Sequence, residues 1–187
     1  MTPVLEAAYA EPHRRYHTRA HIEDGLEELA EIRTLDARQR RILEWAIWWH
    51  DAVYDPRRSD NEAASAALAG RDLPALGAAP DEVAEVERLI LLTRGHAVEP
   101  DDALGAVMVS IDLSILGAAA ADYARYAAQV RAEYAHVSDD AFRAGRAAVL
   151  RAFLAADAIF PDPAFRARFE APARDNLRRE LATLSRG

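Results

Sequence analysis

The chain has 187 residues, of which 51% are hydrophobic and 29% charged, and this is the balance of a globular protein rather than of a disordered chain. Its net charge of -8 argues against nucleic acid and anionic membranes as partners. No cysteine or lysine is present, which excludes disulfides, thiolate metal ligands, cysteine nucleophiles and Schiff-base lysines.

The length fits one domain with a sizeable core, and no linker interrupts it, so we expect a single domain over residues 1–187. Residues 1–15 lack the pattern of a secretion signal. The longest apolar region, Leu104–Ala121, is broken by polar residues and does not resemble a membrane span. We therefore expect a cytoplasmic protein, and its oligomeric state stays open.

Helical periodicity begins near the N-terminus, with a short helix over Val4–Ala10 and a longer one that Thr18 caps and that continues to about Arg33. Asp36 begins a third helix whose apolar residues cover nearly every face, which indicates a central position. This helix should end just before Pro56, since proline disfavours helix at the residue preceding it.

The middle of the chain contains two more predicted helices. Asp60 is expected to cap the first, which continues through about Ala69, and the glycines and prolines of Gly70–Pro80 predict a loop. Asp81 is expected to cap the second, and Gly95 has the position of a helix-ending glycine.

The remainder of the chain is also helical in pattern. Leu104–Leu116 is an apolar segment with Asp112 inside it, and three amphipathic helices follow, the last of which should kink or restart at Pro172. No stretch alternates as a strand does. The sequence thus predicts an all-α fold.

Four residues in or beside these apolar segments are candidate metal ligands: His21, His50, Asp51 and Asp112. Buried imidazoles and carboxylates are costly unless they are paired or bind a metal. Imidazole and carboxylate together suit Mn, Fe, Co, Ni, Zn or Mg, and four protein ligands leave room for water at a catalytic ion. Each residue alone also has an ordinary alternative, such as a hydrogen-bonded core histidine or a helix cap, so the combination carries the inference.

The order of these residues on helices resembles the HD superfamily of metal-dependent phosphohydrolases, which is named for its His-Asp doublet. Tyr16-His17-Thr18-Arg19-Ala20-His21 resembles the Tyr-His-Asn-x-x-His element of the cyclic-nucleotide phosphodiesterases in that superfamily. The stretches 48–55, 60–62 and 112–117 are similar to a small bacterial group of predicted HD phosphohydrolases, and the similarity extends into 131–134 and 145–146.

The resemblance implies a helical HD-type bundle in which His21, His50, Asp51 and Asp112 bind the metal. It also implies that His17 protonates the leaving oxygen, although Thr18 replaces the asparagine of that element. Some nucleotidase members position the water with a glutamate three residues after the doublet. Tyr54 has that place here, so Asp55 and Glu62 are the candidates for the role.

Phosphate oxygens suit the planar fork of arginine, and Arg94 is preferred because it clusters with Thr93 and His96 at a helix end. His96 is also a candidate ligand for a second metal ion. The candidate substrate-binding residues are Arg94, His96, Asn61 and Arg131, with Arg57 and Arg58 as further cations.

The leading hypothesis is the hydrolysis of a nucleotide or another small phosphate ester. The alternatives are an HD-type di-iron oxygenase, a non-catalytic nucleotide-sensing HD module and a plain helical bundle. His96 is the one obvious extra ligand between His50 and Asp112, which argues against the oxygenase. The sequence does not choose among mononucleotides, cyclic nucleotides, dinucleotides and sugar phosphates.

Overall fold

The structure is a computed structural model that describes residues 2–185. These residues form nine α-helices and two short 3-10 helices without a strand, so the all-α prediction is confirmed. The α-helices are α1 (Pro3–Tyr9), α2 (Arg19–Glu31), α3 (Ala37–Trp49), α4 (Asn61–Asp72), α5 (Pro80–Leu92), α6 (Ala103–Asp112), α7 (Ala120–Glu133), α8 (Asp139–Ala155) and α9 (Pro163–Leu184). The 3-10 helices are Leu73–Leu76 and Leu113–Gly117.

The chain divides into two compact units, Met1–Asp112 and Leu113–Gly187, so the expectation of one domain stays a prediction. In the first unit, α3 packs against α2, α4, α5 and α6, which confirms the central position predicted from its apolar faces. The largest fully buried side chains of this unit are Leu5, Ile22, Ile42, Leu43, Ile47, Leu73, Leu89, Ile90 and Met108.

In the second unit, α9 packs against α8 and against the 3-10 helix Leu113–Gly117. The 3-10 helix approaches α9 closely at Gly117. A Cβ atom added there would lie 2.6 Å from the Cβ and 2.8 Å from the carbonyl oxygen of Phe169. Arg146 of α8 and Glu180 of α9 form a two-pronged ion pair with N–O distances of 2.8 Å and 3.0 Å. The core of this unit is therefore built around α9.

Three predicted helix starts, at Thr18, Asp36 and Asp60, are correct in place but differ in mechanism. Asp36 caps α3 in a capping box with Gln39, as its position predicts. Thr18 and Asp60 precede α2 and α4, but neither side chain makes a capping hydrogen bond. The carboxylate of Asp60 instead accepts two hydrogen bonds from Arg58, at 2.9 Å and 3.0 Å.

Two predictions in the middle of the chain are wrong. The stretch Gly70–Pro80 is not all loop, because α4 continues to Asp72 and a 3-10 helix follows. Gly70 lies inside α4, where an added Cβ would meet only the far end of the flexible Glu87 side chain of α5, which can move aside. Asp81 does not cap α5, because the helix begins at Pro80 and Ala79 has the cap position. The Glu82 carboxylate accepts the Ala79 amide at 3.0 Å.

Helix α9 is continuous across Pro172, so the predicted restart at that residue is wrong. Proline lacks an amide hydrogen, and one backbone hydrogen bond of the helix is missing there. Across residues 2–185, no single helix is both long and apolar enough to cross a bilayer. One pair of segments, Ala103–Gly117 and Ala120–Glu133, meets the length and composition criteria when taken together, with a bend of 103° between them.

Candidate metal centre

His21 reaches the centre of the first unit because α2 approaches α3 and α6 closely. The approach is made at Gly25, one helical turn after His21, where an added Cβ would lie 3.3 Å from Ile47 and 3.2 Å from Ile111. His21 is buried, and its Nδ1 lies 3.0 Å from the Tyr16 hydroxyl. Because Nδ1 is occupied by this hydrogen bond, Nε2 is the atom that faces the cluster described below.

The His50–Asp51 doublet lies where α3 ends. His50 is the last residue in helical conformation, and its imidazole is buried. Its Nδ1 lies 2.9 Å from the carbonyl oxygen of Ile47, an acceptor, so Nδ1 carries a hydrogen and, in the neutral imidazole, the lone pair is on Nε2. A histidine that donates from one ring nitrogen to a carbonyl has the arrangement usual for metal ligands.

The donor atoms of these residues converge on one point. The Nε2 atoms of His21 and His50 lie 3.2 Å apart, and Oδ2 of Asp51 lies 3.6 Å and 3.2 Å from them. Three atoms with this spacing lie on a circle of about 1.9 Å radius, so one ion can be about 2.0–2.2 Å from each, as metal ligands of these types require. The residues present therefore fit a divalent metal ion, and His21, His50 and Asp51 can hold it.

Asp112, the last residue of α6, approaches the same pair of nitrogens from its own helix. Its Oδ1 lies 3.3 Å from Nε2 of His21 and 3.4 Å from Nε2 of His50. The structure thus brings together all four residues that were predicted as ligands. The role of Asp112 as a ligand stays a prediction.

The electrostatics of the four residues favour a cation. Burial disfavours the charged imidazole of His50, but the carboxylates of Asp51 and Asp112 outweigh burial and raise its pKa well above the usual value. Burial also disfavours the charged carboxylate of Asp51, but the nearby imidazoles, foremost that of His50, hold its pKa below the usual range. Both carboxylates therefore stay ionised, and the cluster carries negative charge that a proton or a metal ion can balance.

The irregular segment 51–55 after the doublet is held by side chains rather than by regular structure. Its carbonyl oxygens at 51 and 52 accept hydrogen bonds from Arg14, and the carbonyl oxygen of residue 54 lies 2.7 Å from Nε2 of His13. Ser65 accepts the amide of residue 53 at 3.0 Å and donates to its carbonyl oxygen at 3.2 Å. Asn61 makes the same pair of bonds with residue 55, at 3.1 Å and 2.9 Å.

His96 lies beside the cluster in a conformation that the sequence did not predict. It has a φ of 56°, and within residues 2–185 the other positive φ is at Gly77, so the left-handed residue after α5 is His96 and not Gly95. Its Nε2 lies 3.4 Å from Oδ2 of Asp112. Left-handed backbone is uncommon for residues other than glycine, although histidine adopts it more readily than most, and such residues cluster at functional sites.

The remaining candidates lie at different places. The ring of His17 stacks on that of Tyr54, with 4.0 Å between their centres, and lies near Asp51. Asp55 is half-buried and accepts the amide of Arg57 at 2.9 Å. Glu62 is half-buried near the start of α4, and Arg94 is exposed just after α5.

Arg131 belongs to the second unit, where it donates to the carbonyl oxygens of Tyr134 and Val137 and to Asp139. The amide of Asn61 is likewise engaged with the backbone of residue 55, as described above. These bonds give Arg131 and Asn61 structural roles, and their substrate-binding roles stay predictions.

Sequence reasoning did not identify four residues that support the cluster: His13, Arg14, Tyr16 and Ser65. Tyr16 belongs to the Tyr-His element, which could have drawn attention to it. Its hydrogen bond to His21 is visible only in the structure. No protein-family model, curated protein or solved structure matches this chain.

Proposed function

We propose that this chain is a metal-dependent phosphohydrolase of the HD type that hydrolyses a nucleotide or another small phosphate ester. The observation that supports it most strongly is the convergence of Nε2 of His21, Nε2 of His50 and Oδ2 of Asp51 within 3.6 Å of one another. Metal-assisted hydrolysis requires a metal ion, an oriented water and a proton donor. The chain has candidate residues to hold the ion, to orient the water and to donate the proton.

When bound, a divalent ion polarises the phosphoryl group and lowers the pKa of a bound water toward neutrality. His21, His50, Asp51 and Asp112 would hold the ion. Asp51 would also orient the attacking water, with Asp55 or Glu62 as further candidates for that task. The water would lose a proton to solvent or to one of these carboxylates as its oxygen bonds to phosphorus, and His17 would give its own proton to the departing oxygen as the ester bond breaks.

The phosphate oxygens need cationic partners beside the cluster. Arg94 is exposed just after α5, two residues before His96, whose Nε2 lies 3.4 Å from Oδ2 of Asp112. A guanidinium there can donate two parallel hydrogen bonds to a phosphate. Arg94 is therefore our first candidate for substrate binding, and His96 is the second.

One observation favours a second ion. The two oxygens of Asp112 face different histidines, since Oδ1 lies near His21 and His50 while Oδ2 lies 3.4 Å from Nε2 of His96. Asp112 and His96 would therefore be the residues to hold a second ion, beside the one held by His21, His50 and Asp51. The second candidate function is accordingly an HD-type di-iron oxygenase.

The test is phosphate release from a panel of nucleotides and phosphomonoesters, with Mn, Co, Ni, Mg or Zn added. Wild type is compared with Asp51→Asn, which keeps the shape and removes the charge, and with Asp101→Asn, an exposed aspartate, as the matched control. We expect metal-dependent turnover in wild type and the control and none in Asp51→Asn. Iron-dependent oxygen uptake without phosphate release would instead establish the oxygenase.

A further inference from the structure

Arg14 is a buried cation that contacts two segments of the candidate active site, one at His17 and the other at residues 51 and 52. Its side chain has no exposed surface, while Glu11, its ion-pair partner at 3.0 Å, is largely exposed. Placing a guanidinium in the interior is costly unless its donors are satisfied. The remaining bonds of Arg14 therefore indicate why an arginine occupies this position.

Those bonds join two segments that are distant in sequence. Nη1 donates to the carbonyl oxygen of His17 at 3.0 Å and to that of Asp51 at 2.7 Å. Nη2 donates to the carbonyl oxygen of Ala52 at 3.2 Å. The carbonyls of residues 51 and 52 follow the C-terminal end of α3, where a positive charge is favourable.

Arg14 also supports His17 indirectly, through contacts between aromatic rings. The guanidinium carbon lies 5.3 Å from the ring centre of Tyr9 and 5.5 Å from that of Tyr54. Tyr54 in turn stacks on the His17 imidazole, with 4.0 Å between the ring centres and 23° between the planes. Arg14 thus supports the backbone of His17 directly and its ring through Tyr54.

We propose that Arg14 is a positioning residue that fixes the proton donor His17 relative to the metal ligand Asp51. The proposal rests on the phosphohydrolase function proposed above. A planar fork with donors on three nitrogens suits this arrangement, whereas the compact ammonium of lysine cannot serve all of these acceptors and both rings at once. Loss of Arg14 frees His17 and the segment after the doublet to move independently.

The experiment compares leaving groups. Phenyl phosphate needs a proton at its departing oxygen, whereas p-nitrophenyl phosphate, with its more stable phenolate, needs one much less. Displacement of His17 should therefore lower kcat for phenyl phosphate more than for p-nitrophenyl phosphate. For Arg14→Gln we expect the ratio of the two kcat values to change roughly tenfold or more, because a displacement of about 1 Å can cost about a hundredfold in rate.

Arg40 provides the matched control, because it also donates to carbonyl oxygens at the end of a helix, that of Leu29 in the last turn of α2 and that of Ile32 just after it. Arg40→Gln should lower stability without changing the ratio. Arg14→Lys, which keeps the charge, is the second variant in case Arg14→Gln does not fold. An unchanged ratio in a folded Arg14 variant would overturn the proposal, since it would leave Arg14 with a merely structural role.

A second readout does not depend on turnover. Co(II) binding, followed by calorimetry and by the visible spectrum of the bound ion, reports on the ligand geometry at Asp51. We expect roughly ten- to hundredfold weaker binding in the Arg14 variants, as for other residues that orient metal ligands, and a spectrum that differs from wild type. If wild type hydrolyses no ester, the proposed function fails. Unchanged Co(II) affinity and spectrum in an Arg14 variant would then separately refute the positioning of Asp51.

Discussion

Ser65 offers a direct test of how the segment after the His–Asp doublet is held. Its side chain is fully buried in α4, and its hydroxyl is bonded to both the amide and the carbonyl of Val53. Ser65→Ala removes both partners at once. An unsatisfied buried backbone group costs about 1–3 kcal/mol, and since Val53 is half-buried and water can partly replace the hydroxyl, we expect a loss of about 1–2 kcal/mol.

The assay can report on the first unit specifically. All three tryptophans of the chain lie on α3, the helix that ends at the doublet, so fluorescence during urea unfolding follows this unit. At a slope of about 2 kcal/mol per molar urea, the expected loss lowers the midpoint by about 0.5–1 M. Ser59→Ala, an exposed serine just before α4, is the control and should leave the midpoint nearly unchanged.

The two serine variants should also differ in metal affinity, because Ser65 holds the segment that begins at Asp51. A Ser65→Ala protein with the midpoint and metal affinity of Ser59→Ala would show that the hydroxyl is not needed to hold the segment, and the reasoning about its backbone bonds would be refuted.

Three further outcomes are expected. Gly117→Ala should destabilise the second unit by about 1–3 kcal/mol in thermal unfolding, because the Phe169 backbone cannot yield, whereas Gly145→Ala, where a Cβ meets no atom within 4 Å, should stabilise α8 by about 0.5–1 kcal/mol. Burial disfavours the charged form of Asp102, but its bonds with Arg88 and the Gly105 amide hold its pKa below the usual value. The stability that it contributes should be complete above a pH of about 4 and be lost as pH falls through its folded pKa, so the difference between wild type and Asp102→Asn in urea unfolding should shrink below that pH. Finally, metal at a thousandfold excess over its Kd should stabilise the first unit by about 4 kcal/mol in tryptophan-detected melting, and a chelator should reverse the effect; an equal shift in Asp51→Asn would contradict the assigned site.

The helices and the four candidate ligands were predictable from the sequence because both depend on local pattern. The apolar stripe of each helix has the helical period, and Asp36 with Gln39 forms a capping signal within four residues. Histidine and aspartate in apolar surroundings are few, so the choice of His21, His50, Asp51 and Asp112 was narrow. Their convergence could be expected from the resemblance to the HD pattern but not from the spacing alone.

The residues that hold the site were not predictable, because their partners are backbone atoms of distant segments. Nothing in the residues beside Arg14 indicates that its guanidinium meets carbonyls 37 and 38 positions later. Gly70 was predicted to begin a loop because glycine is typical of turns, whereas α4 continues through it to Asp72. The left-handed backbone was expected at Gly95, because glycine has the conformational freedom, but it occurs at His96, whose imidazole lies beside Asp112.

The helix contact at Gly25 affects the geometry of the candidate metal centre. The spacing between His21 and the ligands of α3 and α6 is set by the contact of a bare helix backbone with the methyl groups of Ile47 and Ile111. A larger residue at position 25 would press on these methyl groups, and if they do not yield it would move His21 away from α3 and α6 while every candidate ligand stays chemically intact. If the candidate centre binds an ion, the size of ion that it accepts should therefore depend on the residue at position 25, which lies outside the ligand set and acts through the distance between helices.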